Sequence, residues 1–342
     1  MIRCQRRVWL KRCAMAWIAA CASPQTMTPQ SPRSLFAASG MGRRLKFVSQ
    51  LSCQHPFQTI PTWIDAHCHI WAPPSEEFPL AEGITEQQLQ PRSFNPQELL
   101  TTVRPHGVGR VVLIQHSIFH RFDNRYIIDA VRRNPQTFRA VGMLDDHQPR
   151  VAEQMPDLLG QGMTGFRITP LIREGAAAHD WLQTSGMQEM WRMAARTRQA
   201  MCCLINPSDL SAVDAMCAQH PETPVVIDHF ARIGMDGSIR EEQLAALCRL
   251  ARHPFVYVKL SAYYALGHKR PPHTELLPMI HRLLETFSPR RLMWASDSPY
   301  QLQNGNTYAS SLGLIRDGIP ELSATDRQQL LRGTAEAVYW FR

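Results

Sequence analysis

The sequence lacks several features that would assign it to a well-defined class. No run of about 18 apolar residues occurs in the chain, so no membrane-spanning helix is expected. No glycine-rich phosphate loop follows any predicted strand, which argues against a dinucleotide- or NTP-binding protein. The 9 cysteines are odd in number and include no Cys-x-x-Cys pair. A disulfide framework is therefore not expected, and a reducing compartment such as the cytoplasm fits best.

Acidic residues are absent from positions 1–60, which carry nine of the 37 Lys and Arg residues. The basic residues that follow nearly balance the 29 acidic ones, and no basic stripe suggests nucleic-acid binding. Positions 1–60 are compatible with an organelle transit peptide, with a lipoprotein signal ending at Ile18-Ala19-Ala20-Cys21, or with upstream sequence that is not translated. In each case we predict an unstructured or targeting extension, followed by one domain at 61–342.

Eight β-rich runs alternate with helical patterns in this domain. Most runs are nearly continuously apolar, which is typical of parallel strands covered on both faces. The pattern predicts an α/β fold, a (β/α)₈ TIM barrel, whose usual size of about 250 residues is close to the length of the domain. A doubly wound open sheet is the alternative. The predicted strands are Thr62–Trp71, Gly109–His116, Arg139–Leu144, Thr164–Thr169, Met201–Asn206, Pro224–Phe230, Val256–Tyr264 and Arg291–Ser296.

The first predicted strand contains a His-x-His pair, His67 and His69. Because side chains alternate along a strand, both histidines share one face, together with Asp65. Two neutral imidazoles can converge on a first-row metal ion or polarise a carbonyl. The alternative is a pair of core histidines bonded to the backbone.

Further polar residues stand at the carboxyl ends of the predicted strands, where barrel enzymes carry their chemistry. Asp297 follows an apolar strand and could ligate a metal or take a proton from water; the alternative is a turn cap. His229 is a candidate third ligand or carbonyl polariser, or else a bonded core histidine. Asp228 next to it should face the opposite way, so regular strand geometry does not let both residues enter the site. Arg167 could bind a substrate carboxylate through two hydrogen bonds, or it could form an ion pair with a carboxylate of a neighbouring strand.

The ordered set of these strand ends resembles the amidohydrolase superfamily, in its amidohydrolase-related branch of sugar-lactone and pyrone-dicarboxylate lactonases. The resemblance covers nearly all of 61–342. The segments that carry it are Ile64-Asp65-Ala66-His67-Cys68-His69, Gly165-Phe166-Arg167, Val226-Ile227-Asp228-His229, Val258-Lys259-Leu260-Ser261 and Leu292-Met293-Trp294-Ala295-Ser296-Asp297-Ser298-Pro299.

The resemblance implies a distorted barrel and hydrolysis of a lactone or carboxylic ester by water that Asp297 activates. It further implies that His67, His69 and His229 bind a single divalent metal such as zinc or orient the scissile carbonyl. Asn206 stands where metal-bearing members usually present a histidine, and some lactonase-like members work without metal. A metal-dependent decarboxylase of the aminocarboxymuconate-semialdehyde type and a catalytically inactive binding barrel are the alternatives.

We expect a small-molecule substrate, either anionic or sugar-derived. The residues predicted to act in catalysis are Asp297, His229 and Arg167. The residues predicted to bind the metal, if there is one, are His67, His69, His229 and Asp297. The residues predicted to contact substrate are Arg167, His116, Asn206 and Tyr263. The sequence is compatible with assembly into a homo-oligomer.

Overall fold

Eight parallel strands form a nearly closed barrel in the computed structural model, which describes residues 63–170 and 181–341. The strand order follows the chain, and each strand pairs with the next. The predicted (β/α)₈ architecture is therefore confirmed, whereas the extension at 1–60 lies outside the described residues. The strands are β1 Trp63–Cys68, β2 Val108–Ile114, β3 Phe138–Gly142, β4 Met163–Ile168, β5 Ala200–Cys203, β6 Val225–Ile227, β7 Val256–Leu260 and β8 Leu292–Trp294.

Helices follow the strands and cover the outside of the barrel. A capping box begins the helix at Pro96–Val103, where the Asn95 side chain accepts the backbone N–H groups of Gln97 and Glu98. Within the described part of the chain, no helix is both long and apolar enough to cross a bilayer. The helices are α1 Pro96–Val103, α2 Arg125–Arg133, α3 Met155–Gly160, α4 Ser185–Thr197, α5 Leu210–Gln219, α6 Glu241–Arg249, α7 Leu277–Phe287, α8 Tyr308–Arg316, α9 Ala324–Gln328 and α10 Thr334–Tyr339.

The last strand meets the first through backbone hydrogen bonds at the carboxyl rim. The Asp297 N–H donates to the His67 carbonyl at 2.9 Å, and the His69 N–H donates to the Ser298 carbonyl at 2.8 Å. These bonds continue the sheet just beyond the end of β8. Closure of the barrel therefore brings Asp297 beside the His-x-His pair, although more than two hundred residues separate them in sequence.

An irregularity in β1 decides which of its side chains enter the barrel. The step from Asp65 to Cys68 in β1 spans only Val111 to Leu113 in β2, so β1 contains one extra residue, as in a β-bulge. Ile64 therefore packs in the barrel core and His67 lies at the inner rim, although regular alternation would put them on opposite faces.

Asp65 consequently does not share the face of the two histidines, contrary to the expectation from alternation. It turns outward, where it accepts hydrogen bonds from the Tyr308 hydroxyl of α8 at 2.8 Å and from the Ser296 backbone at 2.9 Å. Asp65 thus links β1 to β8 and α8 and has a structural role.

The barrel interior below the rim is filled by apolar side chains from facing strands, including Ala66, Cys202 and Val226. Val338 and Tyr339 of α10 pack against the same cluster. Fully burying a large apolar side chain stabilises a fold by about 1.5–3 kcal/mol. This packed core supports the polar residues at the rim from beneath.

Candidate functional site

Asp297 lies at the centre of three histidines at the carboxyl rim of the barrel. Its Oδ1 is 3.5 Å from His67 Nε2 and 3.4 Å from His69 Nε2, and its Oδ2 is 3.7 Å from His229 Nε2. All four side chains are almost completely buried. The structure therefore brings together the four residues for which a shared metal or water site was predicted.

The hydrogen bond of His69 determines which of its nitrogens faces Asp297. Its Nδ1 lies 2.9 Å from the Ile114 carbonyl, which can only accept, so Nδ1 carries the proton. Burial lowers the pKa of His69, which favours the neutral ring. In the neutral ring the Nε2 lone pair faces Asp297 Oδ1. Two acceptors at this distance need a cation, a proton or a water molecule between them.

The donor set fits a divalent metal ion. One ligand atom from each of His67, His229 and Asp297 lies within 4.8 Å of the other two. Among the described residues, Asp297 Oδ1 has no hydrogen-bond donor although it is buried. Imidazole and carboxylate ligands suit Zn²⁺, whose catalytic sites keep three protein ligands and one open position.

Charged groups lie beside both nitrogens of the His67 ring. The Arg167 guanidinium donates to His67 Nε2 at 2.8 Å, so a metal at this nitrogen requires Arg167 to release it. Asp228 Oδ1 is 3.5 Å from His67 Nδ1 and 3.0 Å from the Lys259 ammonium. Arg167 also lies 3.5 Å from Asp228, which supports the ion-pair interpretation of this arginine. His67 thus lies between the buried ion pair of Lys259 with Asp228 and the carboxylate of Asp297.

The backbone turns left-handed directly after β6, and this turn places His229. Residues 229–232 all have φ between 52° and 62°. Each such non-glycine residue costs roughly 1–3 kcal/mol and persists only where the surrounding structure demands it. Because the strand has already ended at Ile227, Asp228 and His229 both enter the site. The expectation that Asp228 faces the opposite way was therefore wrong.

Burial and neighbouring charges shift the pKa values of these groups. Burial lowers the pKa of His229 to about 4, against the opposing effect of the Asp297 and Asp228 carboxylates. Burial by itself would raise the pKa of Asp297, but the neighbouring imidazoles of His229, His69 and His67 hold it below its ordinary value. The site therefore keeps an ionised carboxylate beside neutral imidazoles near neutral pH, as a general base requires.

These buried histidines predict a loss of stability in mild acid. Each takes up a proton near pH 6.5 in the unfolded chain but stays neutral to lower pH in the fold, so the unfolded chain binds more protons below pH 6.5. The free energy of unfolding should then fall by about 1.4 kcal/mol per pH unit for each such histidine. For His229 the window runs from about pH 6.5 down to its lowered pKa of about 4. The fully buried histidines with a lowered pKa are His67, His69, His116 and His229.

Urea unfolding at about pH 7.5 and at about pH 5.5 measures this effect. A midpoint that does not fall between the two would contradict the prediction.

Aromatic side chains form one wall beside the site. His116 Nε2 lies 2.6 Å from the Tyr300 hydroxyl, and the His116 ring contacts Trp71 and His69 edge-on. Tyr300 stacks on Tyr264 with the ring centroids 6.2 Å apart. His116 therefore lies next to the histidine cluster, where contact with substrate stays a prediction.

Two of the predicted substrate contacts have hydrogen-bond partners outside this cluster. The Asn206 side chain accepts a hydrogen bond from Arg232 at 2.9 Å. Tyr263 is buried and donates to the Leu260 carbonyl at 3.0 Å. The neighbouring Tyr264, which the sequence analysis did not single out, instead donates to Asp297 at 2.8 Å. The pair of adjacent tyrosines was the signal available in the sequence, and alternation along β7 favours Tyr263 over Tyr264.

The body of the chain is similar to known proteins over most of its length. The family profile described as amidohydrolase matches residues 64–341. The 4-sulfomuconolactone hydrolase of Rhizobium radiobacter is 28% identical over 238 residues, which are 69% of this chain and 75% of that protein. The L-fucono-1,5-lactonase of Burkholderia ambifaria is 29% identical over 243 residues, 69% of this chain and 80% of that protein.

Solved structures show the same fold. A crystal structure of an amidohydrolase from Burkholderia multivorans with bound zinc has a TM-score of 0.70 and 23% sequence identity. The match covers 82% of this chain and 100% of that one.

Proposed function

Because the chain belongs to the amidohydrolase family, we propose that it is a hydrolase that opens the ring of a small anionic lactone. The observation that carries the proposal is the meeting of Asp297 with His67, His69 and His229 at the barrel rim. An ionised carboxylate and polarising imidazoles are the groups that ester hydrolysis by water needs. The two curated relatives are named for a sulfonated lactone and a sugar lactone; both names support lactone hydrolysis, and the sulfonated one supports an anionic substrate.

In the proposed reaction Asp297 Oδ1 takes a proton from a water molecule held near His67 and His69. The water oxygen attacks the lactone carbonyl, and the bond from the carbonyl carbon to the ring oxygen breaks. Asp297 then returns its proton to the leaving alkoxide, so that the products are a hydroxyl group and a carboxylic acid, which ionises to the carboxylate and releases one proton to solvent. His229, whose Nδ1 is bonded to the Ser261 hydroxyl at 2.8 Å, is placed to polarise the carbonyl through Nε2.

The same side chains are suited to holding a metal. His67, His229 and Asp297 would hold a divalent ion such as Zn²⁺, whose chemistry when bound is Lewis-acid polarisation of the carbonyl. Arg167 is the fixed cation nearest to His67, and its guanidinium would attract a carboxylate or sulfonate on the substrate. This attraction is the physical basis for expecting an anionic substrate.

Ring opening of lactones by the purified protein tests the proposal. Acid release is followed in a pH-stat with carboxylated lactones, sugar-derived lactones and simple esters, before and after treatment with a chelator. We expect acid release to match the loss of lactone. Release of CO₂ without ring opening would instead identify a decarboxylase. Ligand binding by folded protein without any turnover would identify an inactive barrel.

A further inference from the structure

Tyr263 and Tyr264 follow β7 and point to different places. Ala262 has a left-handed φ of 59°, which ends the alternation of the strand just before the two tyrosines. The Tyr263 ring consequently packs near Phe230 and His273. Tyr264 is turned toward Asp297.

The Tyr264 hydroxyl distinguishes the two oxygens of Asp297. It donates to Oδ2 at 2.8 Å. Within residues 63–170 and 181–341, no donor bonds to the other oxygen, Oδ1, which faces His67 and His69. Oδ1 thus keeps both of its lone pairs for a proton, whereas Oδ2 already accepts one hydrogen bond.

We propose that Tyr264 is a positioning residue that fixes the Asp297 carboxylate so that Oδ1 is its reactive oxygen. The inference rests on the proposed hydrolysis for its catalytic consequence. Rotation of an aspartate carboxylate about χ2 has broad, roughly two-fold preferences, so the side chain alone does not define which oxygen faces the histidines. A hydrogen bond from an anchored phenol does define it.

The surroundings of Tyr264 make such an anchor effective. The tyrosine is 9% exposed, and its ring stacks on Tyr300, which is itself bonded to His116. A buried hydrogen bond to an ionised group is stronger than one between neutral groups. Asp297, which follows β8, is thereby oriented by Tyr264 in the loop after β7, and the aromatic wall holds Tyr264 in place.

Replacing Tyr264 by phenylalanine tests the proposal. The change removes one oxygen atom, so we expect kcat to fall by about 10- to 100-fold, which corresponds to one charge-assisted hydrogen bond. KM should stay within about twofold, because the ring remains and the hydroxyl acts through Asp297. Tyr264→Met, which also lacks the hydroxyl, should give the same division between kcat and KM.

Tyr308→Phe is the matched control. Its hydroxyl also donates to a buried carboxylate at 2.8 Å, that of Asp65, which lies outside the site. This variant should lose stability but keep kcat per folded molecule within about twofold of the wild type. An equal fall of kcat in the Tyr264 and Tyr308 variants would show that any lost tyrosine bond has this effect, and would overturn the proposal.

Crystal structures of the wild type and of Tyr264→Phe separate this inference from the proposed function. We expect the Asp297 carboxylate to rotate in the variant, so that one oxygen no longer faces both His67 and His69. An unchanged carboxylate would overturn the inference whatever the enzyme hydrolyses. Absence of lactone turnover in the wild type would refute the proposed function, and the carboxylate orientation would still decide the role of Tyr264.

Discussion

Replacing Asp297 by asparagine is expected to lower the kcat of lactone hydrolysis by about 100- to 10,000-fold, the usual contribution of a general base. Asparagine keeps the shape of the side chain and can still accept a hydrogen bond from Tyr264, but its amide cannot take a proton from water. KM should change little, because the substrate's own binding groups are untouched. Steady-state kinetics on the best lactone, with thermal unfolding of the same sample, measure both effects.

Asp129→Asn is the control for the loss of one negative charge. Asp129 is a surface residue of α2 that pairs with Arg132 and Arg133, each at 2.6 Å. Pairs of this kind contribute little to stability, typically about 0–1 kcal/mol, so this variant should behave as the wild type. An Asp297→Asn enzyme with near wild-type turnover would show that another group activates the water.

Replacing Lys259 by methionine is expected to destabilise the protein by about 3–5 kcal/mol. Lys259 and Asp228 are both fully buried, and their charged groups are 3.0 Å apart. Methionine fills similar space but leaves the Asp228 carboxylate in the barrel with the more distant Arg167 to compensate it. An uncompensated buried charge carries a large desolvation cost. Urea unfolding followed by circular dichroism gives the change in free energy.

The double variant Lys259→Met, Asp228→Leu distinguishes charge from packing. Removing both charges should recover much of the lost stability, because a buried ion pair often adds little beyond an apolar pair of similar size. Turnover should not recover, since His67 has lost the carboxylate beside its Nδ1. A single Lys259→Met variant that unfolds like the wild type would show that Arg167 alone neutralises Asp228.

The barrel fold and the four residues at its rim were predictable because both follow from local sequence patterns. Apolar runs and helix caps such as Asn95 are short-range signals, and all eight predicted strands are present. Parallel strands in a barrel all end at the same rim, so polar residues at those ends must lie near one another. This rule placed His67, His69, His229 and Asp297 at one rim, and the resemblance to the amidohydrolases selected them as one site before any distance was known.

Only the tertiary structure decided which side chains face the site and through which atoms. The extra residue in β1 turns Asp65 outward, the left-handed turn admits both Asp228 and His229, and the left-handed Ala262 selects Tyr264 over Tyr263. Each of these departs from strand periodicity at a local cost in free energy, which contacts made elsewhere in the chain must offset. A sequence pattern records the local preference but not those distant contacts, so alternation fails at the rim, where the chemistry is.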